Sequence, residues 1–314
     1  MNYRPVFIGG LRRSGTTLMR GALGRHPDLG IFLNDLPFFE VVYEKYKFLN
    51  MNSSFICSKM VDDILNHYRM EEVEVKFDRN GILKNLGSYP SINPVIIIEE
   101  ILKSYASAVG KPRWGLKNPV LEFYADVLFE QYPNAIMVHM IRDPRDRLAS
   151  IKAINWEYTL EGNIDEWSKS VALAKENSIK YEGSYFVVRY ESFLVNPQQY
   201  LKKIMEAAEL PLSEEVLDME SVMGERSSHD NSGEPIRKGI YKSSIGKYIF
   251  HLPAFEVYVQ QQVLGEEMIK WGYELLPLSL PTSFNEGGSK VPEWRDEISH
   301  TGIANPEEQL MGLN

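Results

Sequence analysis

Cysteine is almost missing. Cys57 stands alone among 314 residues, which excludes an internal disulfide and a zinc site built from cysteines. No stretch approaches the roughly eighteen consecutive apolar residues that a membrane-spanning helix requires. The first strand-like run already begins at Pro5. From these features we expect a soluble, cytoplasmic protein with neither signal peptide nor membrane anchor. Positive charge is in deficit, 34 Lys and Arg against 43 Asp and Glu, leaving a net charge of −9. That argues against a general nucleic-acid binder, while a local basic cleft stays compatible with it. Internal repeats are absent, and nothing sets an oligomeric state. With 44% hydrophobic residues the chain can bury a full core. We expect one domain over 1–276 and a weakly ordered extension over 277–314, where prolines, glycines and acids accumulate.

What is present is concentrated near the start. An apolar run, Pro5-Val6-Phe7-Ile8, reads as a buried strand; Gly9-Gly10-Leu11-Arg12-Arg13-Ser14-Gly15-Thr16-Thr17 follows, and then a helical pattern. A glycine turn between strand and helix makes an anion cradle, because backbone N–H groups and the helix dipole both point at the turn. Gly10 and Gly15 have the spacing of a nucleotide-binding P-loop, with Thr17 at its Ser/Thr position. The lysine of that motif is absent: position 16 is threonine. Arg12 and Arg13 carry positive charge in the loop instead, which suits a terminal phosphate or phosphosulfate better than Mg-ATP.

The rest of the chain alternates in the same way. Residues 29–50 read as a loop running into an aromatic-rich helix (Phe38, Phe39, Val42, Tyr43, Tyr46), either a core face or the wall of an acceptor pocket. Residues 51–92 read as weakly helical, with a polar connection near Asp78-Arg79-Asn80-Gly81. A buried helix is expected from Pro94 to about Val109. Strands are expected at 113–117, ending on Lys117, at 135–141, leading to Arg142, and at 185–188, leading to Tyr190. Helices should cover 164–181, 198–208, 213–220, 243–250 and 254–270, with a glycine- and serine-rich loop over 224–239. The pattern predicts a three-layer, P-loop-like α/β fold with a central, mostly parallel sheet flanked by helices. In such folds ligands sit beyond the carboxyl ends of the strands, where the glycine loop, Lys117 and Arg142 all fall.

The loop, from Phe7-Ile8-Gly9-Gly10 through Arg13-Ser14-Gly15-Thr16-Thr17-Leu18-Met19-Arg20 to His26-Pro27-Asp28, resembles that of the sulfotransferases that use 3′-phosphoadenosine-5′-phosphosulfate (PAPS). The tyrosylprotein branch and its bacterial relatives are the most similar. The resemblance runs over about residues 5–273 and implies that Arg12, Arg13, Ser14, Gly15, Thr16 and Thr17 hold the 5′-phosphosulfate end of the donor. It further implies that Arg142 and Ser150 bind the 3′-phosphate, that Tyr190 lies by the nucleoside, and that Arg237-Lys238-Gly239 grips the 3′-phosphate from the loop. Arginine suits that task because its planar fork gives two charge-assisted hydrogen bonds to one phosphate. Arg145 and Arg147 read as solvated helix-surface charges.

Sulfuryl transfer needs a cation at the leaving oxygen and a base for the acceptor hydroxyl, and no metal. The resemblance assigns the first task to Lys117. The base departs from the family pattern. Pro119 stands where cytosolic members have histidine, and Asn34 stands where tyrosylprotein members have their catalytic glutamate. Asp35, next to Asn34, is the candidate base, with Glu40 in reserve; Asp35 reads equally well as the N-cap of the following helix. The expected activity is transfer of a sulfuryl group from PAPS to a hydroxyl of a peptide tyrosine, sugar, lipid or small metabolite. A small-molecule kinase and a non-catalytic nucleotide-binding protein are the competing readings. The missing P-loop lysine, and an arginine where a kinase favours aspartate, count against the kinase.

Overall fold

The computed structural model describes residues 3–33, 35–154, 157–222 and 244–278. Strand β1 (Val6–Gly9) runs through the glycine turn into α1 (Thr16–Leu23), and β2 (Leu29–Ile31) follows. A π-helical turn (Phe38–Tyr43) continues into the short α2 (Glu44–Tyr46). Helices α3 (Ser54–Leu65), α4 (Arg79–Leu86) and α5 (Pro94–Ala108) precede β3 (Arg113–Lys117). A 3₁₀ turn (Leu121–Tyr124) and α6 (Ala125–Gln131) lead to β4 (Ile136–Ile141), α7 (Pro144–Lys152), α8 (Leu160–Lys180) and β5 (Tyr185–Arg189). Then come α9 (Tyr190–Val195), α10 (Pro197–Ala207), α11 (Glu214–Leu217), α12 (Tyr248–His251) and α13 (Ala254–Lys270).

Among the described residues the strands form one five-stranded sheet in the order β2-β3-β1-β4-β5, with every pairing parallel. The pleat sends alternate side chains to opposite faces. Val6, Ile8, Ile136, Val138 and Met140 pack with Met19, Ala22 and Leu23 of α1 and Leu201, Ile204 and Met205 of α10. Phe7, Leu116 and Met137 pack on the other face with the apolar side of α5 and with α6. Both faces are therefore dry, as the unbroken apolar runs of β1 and β4 require. β1 sits between β3 and β4, with Ile8 beside both Lys117 and Val138. That register gathers the carboxyl ends of three strands around the glycine turn.

Several local expectations change. Leu29–Ile31 is a strand and not a loop. Only three residues long, it forms because its edge pairs with β3 and because Gly30 lets Ala106 of α5 approach: a Cβ on Gly30 would stand 3.0 Å from Ala106. Asp78 is the N-cap of α4, accepting from Gly81 N–H at 3.0 Å, so the polar stretch 78–81 starts a helix. The aromatic stripe is core on its buried side: Phe38, Phe39, Val42 and Tyr46 are inaccessible. No described helix is long and apolar enough to cross a membrane. Of the extension expected from 277, residues 279–314 lie outside the described residues, as do the loop 224–239 and with it Arg237, Lys238 and Gly239.

Candidate functional site

The loop between β1 and α1 is bent by two left-handed residues in close succession, Arg13 (φ 72°) and Gly15 (φ 92°), after Gly10 at φ 131°. Gly10 and Gly15 admit no side chain: a Cβ on Gly10 would overlap the Met140 carbonyl, and one on Gly15 the Tyr190 ring. The first intrahelical bond is Met19 N–H to Gly15 C=O at 3.1 Å. The N–H groups of Thr16, Thr17 and Leu18 thus precede the helical ladder, at the positive end of α1.

Buried groups hold the loop's own polar atoms turned away from that opening. Arg142, directly after β4, donates from Nη1 to the Arg13 carbonyl at 3.0 Å. Arg147 of α7 donates from Nε to the Arg12 carbonyl at 3.0 Å. Val120 N–H donates to the Gly10 carbonyl at 3.0 Å, and Gly10 N–H donates to Glu122 Oε2 at 2.7 Å. With its carbonyls gripped from behind, the loop keeps amide hydrogens for a ligand in front. This arrangement overturns the expectation that Arg145 and Arg147 are solvated. Both are buried: Arg145 forks onto Asp143, and Arg147 ties Asn163, Tyr158 and Glu166 to the loop. A charged run on a short amphipathic helix reads as surface, and only the packing of α8 and α13 over α7 makes it interior.

On one flank, Arg142 stacks its guanidinium 4.6 Å from the centre of the Tyr190 ring, and the same ring abuts Gly15. Arg142 Nη2 also donates to the Ser244 carbonyl at 2.7 Å. Its Nε is buried with no hydrogen-bond partner among the described residues. Ser150 lies close by and accepts from Arg13 Nε at 2.9 Å. Arg13, Arg142, Ser150 and Tyr190, distant in sequence, thus form one cationic, aromatic-backed recess.

On the other flank, Lys117 at the end of β3 is buried and forms an ion pair with Asp35. Its Nζ also lies 3.4 Å from Thr17 Oγ1. Burial, with Arg20 and Arg12 nearby, pushes the Lys117 ammonium well below the usual lysine range; the Asp35 carboxylate opposes that pull. Asp35 is not the helix N-cap, a position held by Pro37. Its side chain keeps 39% of its exposure while it holds Lys117. Glu40 is committed to Arg12, whose Nη2 reaches its two oxygens at 2.9 and 2.7 Å; the π-helical turn swings it there. Burial pulls the Arg20 guanidinium, which donates to the Leu33 carbonyl, down to about 10. Asn34 lies outside the described residues.

Sequence reasoning missed Glu122, hidden in an apolar helical pattern, and Asp146. Asp146 accepts from Gly246 N–H at 2.8 Å and Tyr248 N–H at 3.0 Å, fixing the chain where it returns after the undescribed residues 223–243.

The "Sulfotransferase family" model matches residues 5–214. The chain belongs to the sulfotransferase family. Protein-tyrosine sulfotransferase A of Caenorhabditis elegans is 24% identical over 311 residues, covering 95% of this chain and 74% of the relative. Protein-tyrosine sulfotransferase 1 of Homo sapiens is 22% identical over 304 residues, covering 92% and 74%. Among solved structures, the sulfotransferase domain from the curacin biosynthetic pathway superposes with a TM-score of 0.52 at 18% identity, over 88% of this chain and 99% of that one. The sulfotransferase domain from the Synechococcus PCC 7002 olefin synthase does so with 0.53 at 17% identity, over 88% and 98%. The two structures share the fold. With the family match and the relatives, this sulfotransferase is an enzyme of the PAPS-dependent class. The family match ends before residues 237–239, so the Arg-Lys-Gly segment is outside it.

Proposed function

We propose that this sulfotransferase moves the sulfuryl group of PAPS to an acceptor hydroxyl by in-line displacement, with Lys117 assisting the leaving oxygen and Asp35 acting as base. The observation that carries the reading is the convergence of the glycine loop, the Arg13–Ser150–Arg142–Tyr190 recess and the Lys117–Asp35 pair at the carboxyl ends of β1, β3, β4 and β5. When bound, PAPS supplies the activated sulfuryl group together with a stable leaving group. The chain's own residues divide the rest. The amides of residues 15–17 and the side chains of Ser14, Thr16 and Thr17 bind the 5′ end, beside Arg12 and Arg13. Arg142, Ser150 and Arg13 bind the 3′-phosphate, and the contacts that join Arg13 to both Ser150 and Arg142 support this role. Tyr190 backs the nucleoside.

Lys117 holds a proton in a buried, cation-rich place, which favours giving it up to a leaving oxygen. Asp35 holds Lys117 through Oδ1 while its side chain keeps 39% of its exposure, which supports the role of taking the acceptor's proton. A kinase fits less well: Thr16 replaces the phosphate-reaching lysine, and Asp143 is spent on Arg145. The names of the relatives make a peptide tyrosine the first acceptor class to assay, ahead of sugars, lipids and small metabolites. An intracellular location goes with this proposal and is tested by fractionating the source cells.

Titration calorimetry with 3′-phosphoadenosine-5′-phosphate (PAP), beside AMP and ATP-Mg, tests the donor. The expected result is PAP binding that AMP does not match and that Arg142→Ala weakens by at least about tenfold, the value of one charge-assisted hydrogen bond. Preference for ATP-Mg, or no binding at all, would refute it.

A further inference from the structure

Beneath the glycine loop lies a line of buried polar side chains that the proposed chemistry does not use. Glu122 is buried, with each carboxyl oxygen engaged: Oε2 accepts from Gly10 N–H at 2.7 Å and Oε1 from Ser170 Oγ at 2.9 Å. Ser170 Oγ is also 2.9 Å from His139 Nε2, and His139 Nδ1 is 2.8 Å from the Tyr185 hydroxyl. Four side chains from the 3₁₀ turn, α8, β4 and β5 therefore form one connected path ending on the loop's backbone. We propose that Glu122 is a positioning residue for the donor loop and that its carboxyl takes up a proton when the donor's phosphate end binds; this rests on the PAPS reading above.

The hydrogen bonds admit both protonation states. With Glu122 ionised, each hydroxyl or ring N–H points toward it: Tyr185 O–H to His139 Nδ1, His139 Nε2–H to Ser170 Oγ, and Ser170 O–H to Glu122 Oε1. With a proton on Oε1, the directions reverse. Glu122 donates to Ser170 Oγ, Ser170 to His139 Nε2, and the other ring nitrogen donates to Tyr185. Oε2 accepts from Gly10 N–H in either case, so the loop keeps its anchor. No bond other than O–H and N–H is made or broken, and the added proton comes from solvent.

Every group facing Glu122 bears on the balance. Gly10 N–H, its own backbone N–H and Ser170 favour the charged form, as does the more distant Arg147 charge; burial opposes it. His139 is held neutral by burial, its pKa pulled down to about 3, and Tyr185 stays protonated, its pKa raised by burial and by the Glu122 charge. Burial prevails and pushes the Glu122 carboxyl up to about 7. A ligand anion held by the same loop that Glu122 anchors adds negative charge to its surroundings, which moves the carboxyl further toward its neutral form.

The test is calorimetric titration of the full chain with PAP at pH 7.5 in Tris, HEPES and imidazole buffers. The slope of observed enthalpy against buffer ionisation enthalpy counts the protons exchanged. Glu122→Gln keeps an oxygen for Gly10 N–H and cannot titrate; the ligand's own phosphates titrate in both proteins, so the difference in slope isolates Glu122. A one-unit rise from about 7 gives an excess uptake of about 0.5 proton in the wild type. Ser170→Ala, which removes one bond favouring the charged form, should retain uptake and shift its pH midpoint upward. Equal slopes for wild type and Glu122→Gln, with both binding PAP, overturn the proposal, because a merely structural role would change melting temperature and not proton count. Absence of PAP binding by the wild type overturns the donor reading itself, and this inference with it.

Discussion

Replacing Gly15 by alanine strikes the contact between the glycine loop and the Tyr190–Arg142 flank of the site. Two costs follow from the geometry. Alanine must adopt φ 92°, a conformation that costs a non-glycine residue about 1–3 kcal/mol. Its methyl must also occupy space held by the Tyr190 ring. Displacing that ring breaks its stack on Arg142, 4.6 Å from the ring centre, worth about 0.5–2 kcal/mol. The sum is about 1.5–5 kcal/mol, or roughly 3–10 °C in melting temperature for a domain of this size. PAP affinity should fall at least about tenfold, the equivalent of about 1.4 kcal/mol, because the displaced groups frame the proposed phosphate site. The mechanism is checked by a double-mutant cycle with Tyr190→Ala. On that background the methyl has room, and only the backbone cost remains, so the two substitutions should couple by the value of the stack, about 0.5–2 kcal/mol. Thermal melts and PAP titrations of the four proteins measure it. A Gly15→Ala variant within about 0.5 kcal/mol of wild type, or strict additivity with Tyr190→Ala, would refute the reasoning.

The other predictions concern charge. Asp35→Asn should lower sulfuryl-transfer turnover by at least about 100-fold, as expected for loss of a general base, while PAP affinity measured by calorimetry holds or tightens because Lys117 loses its competing partner. Arg147→Met leaves the Arg12 carbonyl and Asn163 Oδ1 without their buried donor, at about 1–3 kcal/mol each, and should cost about 2–6 kcal/mol in urea unfolding; Arg25→Met, which breaks a half-exposed pair with Asp218, should cost at most about 1 kcal/mol. Burial pushes the carboxyls of Glu122 and Glu191 up to about 7, so the native chain keeps protons that the unfolded chain releases above about 4.3. Their stabilising contribution is complete below that pH and is lost as pH rises to 7. His139, pulled down to about 3, acts oppositely: its contribution is complete above about 6.5 and is lost as pH falls toward 3. Between pH 4.5 and 7.5 the wild type should therefore lose about 3 kcal/mol more than Glu122→Gln, measured by urea unfolding at the two ends.

Much of the fold was legible from local pattern. The runs that became β1 and β4 are apolar throughout because both faces of the sheet are covered. Asn93 before Pro94 caps α5 through a bond to Ile96 N–H, a start signal visible in the letters themselves. β2 was not legible. Its three residues carry no periodicity, and what makes them a strand is an edge pairing with β3 across eighty residues, allowed by a glycine under α5.

The sequence by itself determined the glycine loop. Gly10, Arg13, Gly15 and the start of α1 are contiguous, and a turn of that kind is a property of neighbouring dihedral angles. It also brought Lys117 and Arg142 to strand ends, since strand and helix lengths are locally encoded. Only the tertiary structure decided which charges are partners and which are exposed. Arg145 and Arg147, polar letters on a short helix, became interior because α8 and α13 cover α7 and provide a carboxylate and two amides, while Asp143 and the Arg12 and Glu274 carbonyls complete their bonds. Asp35 became Lys117's partner and not a helix cap because parallel pairing sets the β3 end beside the segment after β2. Glu122 was hidden for the same reason. Burial and hydrogen bonding depend on what the rest of the chain brings within three ångströms, and no local pattern of residues carries that information.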